Sequence, residues 1–454
     1  VVSAIGAPPR LLDPDRQLLD HPTRLCLDSL AQGLVRFDAT GQIEPGLAER
    51  WIVIDDGMTY IFRLREAEWA DGSPVAAGQV VRLFQRHVAA ASRSPLAPFL
   101  TAVDSVVEMT PQVIEIRLHR PRPDLLNLFA QPEMALARRR PSGGTGPFRV
   151  MPGGGAPMLR LASDPRRVGA DDAAVKHPER DVRLIGERAA KAIARFMARQ
   201  SDMVSGGTFA DWPLLAAAGV APASIGVDPA AGLFGLAVVS REGFLADGAH
   251  RNALAAVIDR AALTTTIRRG WVLAETLLPA QLDSAAPPTV PDWAALPIAD
   301  RRQNAARMVA EWAQPVRLRV ALPAGPGATL LYGRVAADLA GVGITVDRVA
   351  EDAPADLRLV DQVAPYDSGR WYLATACQGC STEAQAALIA ARDAMTLADR
   401  AQLIAAADAA LTQDASFIPL ARPLRWSLLT PRLRQWTPNA RAWHPLNRLR
   451  PIPN

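Results

Sequence analysis

A chain of 454 residues is too long for one compact core and implies two or three domains. Hydrophobic residues make up 49% and charged residues 21%, an ordinary globular balance, and no run of 18 apolar residues is present to form a membrane-spanning helix. The formal charge is only +4, Lys176 and Lys191 are the sole lysines among 50 basic residues, and no basic stripe with interleaved aromatics occurs, which argues against nucleic acid as a partner.

In chain order, Leu11-Leu12-Asp13-Pro14 reads as a turn. A helix is expected from Thr23 to about Gln32, with Leu27, Leu30 and Ala31 on its apolar face, Asp28 and Ser29 on the other, and Gly33 at its end. Leu34 to Phe37 is a short strand. Pro45 then breaks the chain ahead of Thr59 to Arg65, where Tyr60, Phe62 and Leu64 alternate with Thr59, Ile61, Arg63 and Arg65, the period of a half-buried strand. Asp71-Gly72-Ser73-Pro74 is a turn that opens a helix. Residues 78 to 92 present Val80, Val81, Phe84 and Val88 on one helical side. Two strands, Val103 to Val107 and Val113 to Leu118, flank a turn at Pro111, and a short helix follows from Pro121 to Phe129. The glycine-rich run Gly143 to Gly146 lacks the Lys-Ser/Thr pair and the following helix of a phosphate loop, so it reads as a turn into a strand.

Residues 151 to 180 are rich in Gly, Pro and Asp and read as a loop. Val182 to Ile185 is a strand, Ala189 to Ala198 a helix, and Leu233 to Val239 an apolar strand. Leu245 to Leu263 is expected to be one amphipathic helix with Leu254, Val257 and Ile258 as its stripe. A Pro-rich loop (280 to 298) leads to a helix, Asp300 to Trp312. Strand Val316 to Leu322, helix Ala328 to Leu339 and a strand starting at Ile344 form a βαβ pattern and imply an α/β lobe. Thr396 to Asp399 is a helix start resembling a capping box, and Ser416 to Leu420 a closing strand.

Chemistry is sparse. There is no G-x-S-x-G and no H-E-x-x-H, and the paired carboxylates Asp55-Asp56 and Asp171-Asp172 fall in expected turns. No catalytic residue, cofactor or metal is therefore expected, and the protein reads as a non-enzyme. Cys377-Gln378-Gly379-Cys380 is a C-x-x-C pair without the further ligands of a zinc site. A local disulfide in an oxidising compartment and two unpaired thiols are its readings. Cys26 reads as a small buried residue.

Three stretches carry a family pattern. The first is Pro45-x-Leu47-Ala48-Glu49-x-Trp51, then Asp56-Gly57-x-Thr59-Tyr60-x-Phe62-x-Leu64-Arg65, then Trp69-x-Asp71-Gly72-x-Pro74-Val75-x-Ala77. The second runs from Asp247 through Arg251, Ala253, Leu254, Ile258, Asp259 and Arg260 to Leu263. The third is the helix before Gly343-Ile344-Thr345-Val346. Together they resemble the family 5 extracellular solute-binding proteins, the receptors of ABC importers for peptides, nickel chelates and related solutes. The resemblance implies an α/β, two-lobe periplasmic-binding-protein fold with an extra inserted subdomain and a hinge between the lobes. Lobe I would take residues 1–42, 145–235 and 425–454, with the inserted subdomain at 43–144 and lobe II at 236–424. It also implies capture of a small organic solute by hinge closure, delivery to ABC permease subunits, a monomer, and a periplasmic or lipid-anchored location. A chain opening at Val1 fits a form whose signal peptide has been removed. A sensing receptor on the same scaffold is the alternative, with a hydrolase behind it.

In peptide-binding members a lobe II aspartate pairs with the ligand's α-ammonium. Aligning Tyr366 and Tyr372-Leu373 with the family pattern puts Pro365 at that position, with Asp367 or Asp361 as the nearest acids. The α-amine recognition of ordinary peptides is thus lost or rebuilt, and the solute is expected to be peptide-like or, given this altered segment, a non-peptide. The candidate ligand-binding residues are Asp20, His21 and Leu96 in the first lobe, and Tyr366, Asp367, Arg370, Trp371 and Arg422.

Overall fold

The computed structural model describes residues 1–122, 124–139, 142–151, 157–161, 181–312 and 314–449. Most of the expected loop 151 to 180, including Asp171-Asp172, lies outside them, as does Arg140. Two compact units emerge: Val1–Gly207 with Ala218–Pro229 and Trp426–Asn454, and Thr208–Ala217 with Ala230–Arg425.

The first unit is built on a seven-stranded sheet. Its order is Phe148–Val150, Met158–Leu161, Asp181–Glu187, Val2–Ile5, Met203–Thr208, Arg425–Leu429 and Ile225–Asp228. Val2–Ile5 pairs in parallel with both of its neighbours. A second, antiparallel sheet runs Ala48–Ile54, Thr59–Leu64, Val113–Leu118, Val103–Thr110. Here the alternation in the sequence becomes burial. Tyr60, Phe62 and Leu64 are at most 3% exposed, whereas Arg63 on the other face is exposed. Against the buried face lies helix Ala77–Val88, through Val80, Val81 and Phe84. Phe129 joins this core with its ring edge-on to Phe84 at 4.9 Å. We propose residues 43–144, which hold this sheet, as the inserted subdomain.

Three local expectations change. The first helix is His21–Leu30 and stops two residues before the expected end. Asp28 and Ser29, expected on a solvated face, are 8% and 2% exposed. Ser29 Oγ donates to the Leu25 carbonyl at 2.7 Å, so its hydroxyl is satisfied inside the helix. The turn at Asp71 does form, with its Oδ1 accepting from Ser73 N at 3.1 Å and Ser73 Oγ at 2.6 Å. Its helix begins only at Ala77, so Pro74 lies before the first turn rather than within it.

The second unit carries a five-stranded sheet in the order Ile344–Ala350, Val316–Leu322, Leu357–Val363, Gly232–Val238, Phe417–Ala421. Val316–Leu322 is parallel to both neighbours, and helix Pro326–Ala340 makes the crossover of the expected βαβ pattern. Gly232–Val238, buried throughout, runs antiparallel to both neighbours.

The stretch 245 to 263 is two helices, Gly248–Val257 and Arg260–Ile267, not one. Two long-range contacts hold the break. Asp259 donates its N–H to Asp338 at 3.0 Å, while its own carboxylate caps the second helix at Ala262 N, 2.9 Å. Arg260 is 3% exposed. It donates to the carbonyls of Ala255 and Ile258, both at 3.1 Å, and of Pro419 at 2.8 Å. The carbonyls that a continuous helix would have used are met by a side chain.

Another arginine ties down the far end of helix Leu397–Asp414. Arg251, 3% exposed, reaches Asp414 Oδ1 at 2.8 Å, and Arg241 pairs with the other oxygen. Replacing Asp414 by Ala strands a buried guanidinium and is expected to lower stability by about 3–5 kcal/mol. Asp347→Ala at the exposed Arg317–Asp347 pair is expected to leave stability nearly unchanged. Urea unfolding of the two variants side by side measures the contrast.

Candidate binding site

In the first unit, Asp20 and His21 stand at a helix start. Asp20 caps His21–Leu30 through Oδ1 to Thr23 N at 3.1 Å, and its Oδ2 accepts from Ala7 N at 2.9 Å. His21 Nε2 lies 2.7 Å from Ser205 Oγ, and its ring meets Trp443 edge-on at 5.9 Å. The approach is close: a Cβ on Gly206 (φ +85°) would sit 2.4 Å from the His21 ring. Arg24, one turn on, lies over Trp443 at 4.8 Å and pairs with Glu133 at 2.6 Å. Leu96 is 5% exposed and belongs to the interior.

In the second unit, Tyr366, Asp367, Arg370 and Trp371 share one stretch, where strand Leu357–Val363 gives way to helix Gly369–Ala376. Tyr366 is 7% and Trp371 3% exposed, and the Trp371 ring packs edge-on to Tyr372 at 5.0 Å. Asp367 is exposed and Arg370 half-buried. The stretch is clamped from outside. Asp283 accepts from Ser368 Oγ at 2.9 Å and from Gly369 N at 2.6 Å. Arg400, 4% exposed, reaches both Asp283 at 3.0 Å and Ser368 Oγ at 2.8 Å.

Two carboxylates near Pro365 are therefore engaged. Asp283 holds the clamp, and Asp361 is paired to Arg425 at 2.8 Å. Burial pushes the Asp361 carboxyl above its usual range, against the pull of Arg425.

Arg422 follows directly on strand Phe417–Ala421. Its N–H donates to the Val272 carbonyl at 2.9 Å, and its carbonyl accepts from Trp271 Nε1 at 2.7 Å. Trp271 in turn packs against Phe234 at 4.8 Å and Phe209 at 6.2 Å. Burial lowers the Arg422 pKa, with only the Tyr372 phenol acting the other way. Cys377 and Cys380 are joined as a disulfide, and the Gly379 carbonyl between them accepts from Arg241. Among the described residues no group of three or more His, Cys, Asp or Glu could hold a metal ion, and no helix is long and apolar enough to cross a membrane.

Sequence reasoning passed over Trp271 and Asp283. Neither lies in a motif, and each gains its partners from chain distant in sequence. Asp211 is half-buried, and burial alone accounts for its raised pKa.

The two α/β units with their mixed sheets have the fold of the periplasmic binding proteins. The model for bacterial extracellular solute-binding proteins, family 5, matches residues 42–354, and the chain belongs to that family. Among solved structures, the Escherichia coli murein tripeptide binding protein MppA is similar at a TM-score of 0.81 and 20% identity, covering 97% of this chain and 96% of that one. NikA from Brucella suis, in complex with Fe(III)-EDTA, reaches a TM-score of 0.75 at 18% identity and covers 100% of both chains. In sequence, the probable deoxycholate-binding periplasmic protein YgiS of Escherichia coli is 41% identical over 93 residues, 20% of this chain and 17% of that protein. The match thus spans less than a fifth of that curated relative's length.

Asp211 yields a pH test. Its carboxyl is held above the usual 3.8 in the folded chain, so it contributes stability that is fully present below that value and is lost as pH rises through its folded pKa. Wild type should lose stability relative to Asp211→Asn as pH rises from about 3.8 and then level off. Urea midpoints of both proteins, taken across that range, read the difference directly. A constant difference means that the carboxyl is not desolvated.

Proposed function

We propose that this chain is the substrate-binding component of an ABC importer, working outside the cytoplasmic membrane without chemistry of its own. It captures a small organic solute by the hinge closure that its family resemblance implies and passes the solute to a permease. Family membership supports the class. The Cys377–Cys380 disulfide fits an oxidising compartment.

The finer reading is a solute without a peptide's α-ammonium. It rests on the alignment that sets Pro365 at the family's anchoring acid, and it is supported by the engagement of Asp361 and Asp283 with Arg425, Arg400 and the Ser368-Gly369 backbone. A desolvated ammonium without a counter-charge costs several kcal/mol, so generic peptides should bind poorly here. The scaffold does not demand a peptide. The similar proteins named above are described with a murein tripeptide, with deoxycholate and with Fe(III)-EDTA.

Calorimetric titration with mixed di- and tripeptides is expected to give no saturable heat, and native mass spectrometry of the purified protein to reveal a bound non-peptide molecule. Micromolar or tighter affinity for generic peptides would sink the non-peptide reading while leaving the receptor class in place.

A further inference from the structure

We propose that Arg422 is the anchor for an acidic group of the solute, a carboxylate or a phosphate; this rests on the receptor reading above. The argument starts from what the unit's other interior arginines do. Arg251 meets Asp414 at 2.8 Å, Arg400 meets Asp283 at 3.0 Å and Arg425 meets Asp361 at 2.8 Å. Arg260 has three carbonyls within 3.1 Å. Arg422 is half-buried. Yet among the described residues no carboxylate pairs with it, and the only group that favours its charge is the Tyr372 phenol.

A cation withdrawn from water and left unpaired is a cost to the folded state. In a receptor that cost is offset when the solute brings the opposite charge. Guanidinium suits this task, since its planar fork grips a carboxylate or phosphate with two parallel hydrogen bonds.

The geometry holds the base of the side chain in place. The backbone of Arg422 is fixed on both its N–H and its C=O side, at 2.9 Å to Val272 and 2.7 Å to Trp271. The preceding residue, Ala421, bridges to Leu273. Trp271 is 6% exposed and is wedged against Phe234 and Phe209, so the anchor stands on a rigid aromatic support. Beside it Val272 and Leu273 are 63% and 43% exposed. The expected solute therefore carries an apolar body next to its acidic group.

The test is thermal unfolding of the full chain with matched pairs of small carboxylic acids and their amides, and with inorganic phosphate, on wild type, Arg422→Met and Arg422→Lys. Acids should raise the wild-type melting temperature and their amides should not. Arg422→Met should abolish the shift and weaken acid binding on the order of tenfold or more, with Arg422→Lys retaining part of it. Phosphate acting where carboxylates fail would assign the group to the phosphate class. Without solute, Arg422→Met should melt at or above wild type, because an unpaired charge has been removed.

The proposal is overturned if acids and amides act alike, if neither an acid nor phosphate shifts wild type more than Arg422→Met, or if the solute-free Met variant melts several degrees lower, which would make Arg422 a structural cation. Peptides that bind wild type only while Arg422 is present would overturn the non-peptide reading and support the anchor. A non-peptide that binds both equally would overturn the anchor alone.

Discussion

A guanidinium that leaves water must find an anion or a set of carbonyls, and much of this protein is arranged around that demand. The chain is nearly free of lysine, so almost every interior cation is a planar fork with five donors rather than a point charge. Arg251 joins a helix to the Asp414 terminus, and Arg260 closes the break between two helices against Pro419. In the first unit, Arg24 and Arg36 do the same with Glu133 and Glu44. Each pairing removes one carboxylate from the supply that could meet a solute. Which charges are left over is set by this internal accounting more than by any motif.

Where structure is set by neighbours in sequence, it could be read in advance. Thr59–Leu64 was legible because alternation is a local property, and its buried residues, Thr59 aside, are those with the period of two. Val316 to Ala350 was legible because strand, helix and strand each carry their own pattern. The break at Ile258-Asp259 was not, since the apolar stripe runs through it and the residues that stop the helix, Asp338 and Pro419, lie far along the chain. Asp28 and Ser29 misled for a related reason. Polar residues usually mark the solvated face, but here one is satisfied by its own helix and the other lies among Arg36, Arg24 and Trp443.

The site divides along the same line. The anomaly at Pro365 is a fact of sequence and was visible once the stretch was aligned on Tyr366. That Asp361 could not stand in for the missing acid was not visible, because its partner Arg425 is 64 residues away. Arg422 stood among several candidates of equal standing. What separates it is that no carboxylate among the described residues pairs with it, and only the packed chain reveals this. Asp211 had no signal at all, being a single acid that burial makes unusual.

Proline at 365 removes more than a carboxylate. It also removes a backbone donor and fixes φ, so the turn into helix Gly369–Ala376 becomes stiffer and has one hydrogen bond fewer to offer. The Asp283–Arg400 clamp on Ser368 and Gly369 then holds the segment from distant chain. Gly369 sits so close to Ile404 that an added Cβ would lie 2.8 Å from it. The place we propose for charge recognition in this unit is instead the end of strand Phe417–Ala421, where among the described residues no carboxylate pairs with Arg422. On this view the loss at 365 and the unpaired arginine at 422 are two sides of one change. The scaffold of the family is kept, and what we propose to have changed is the charged group that the second unit takes from its solute.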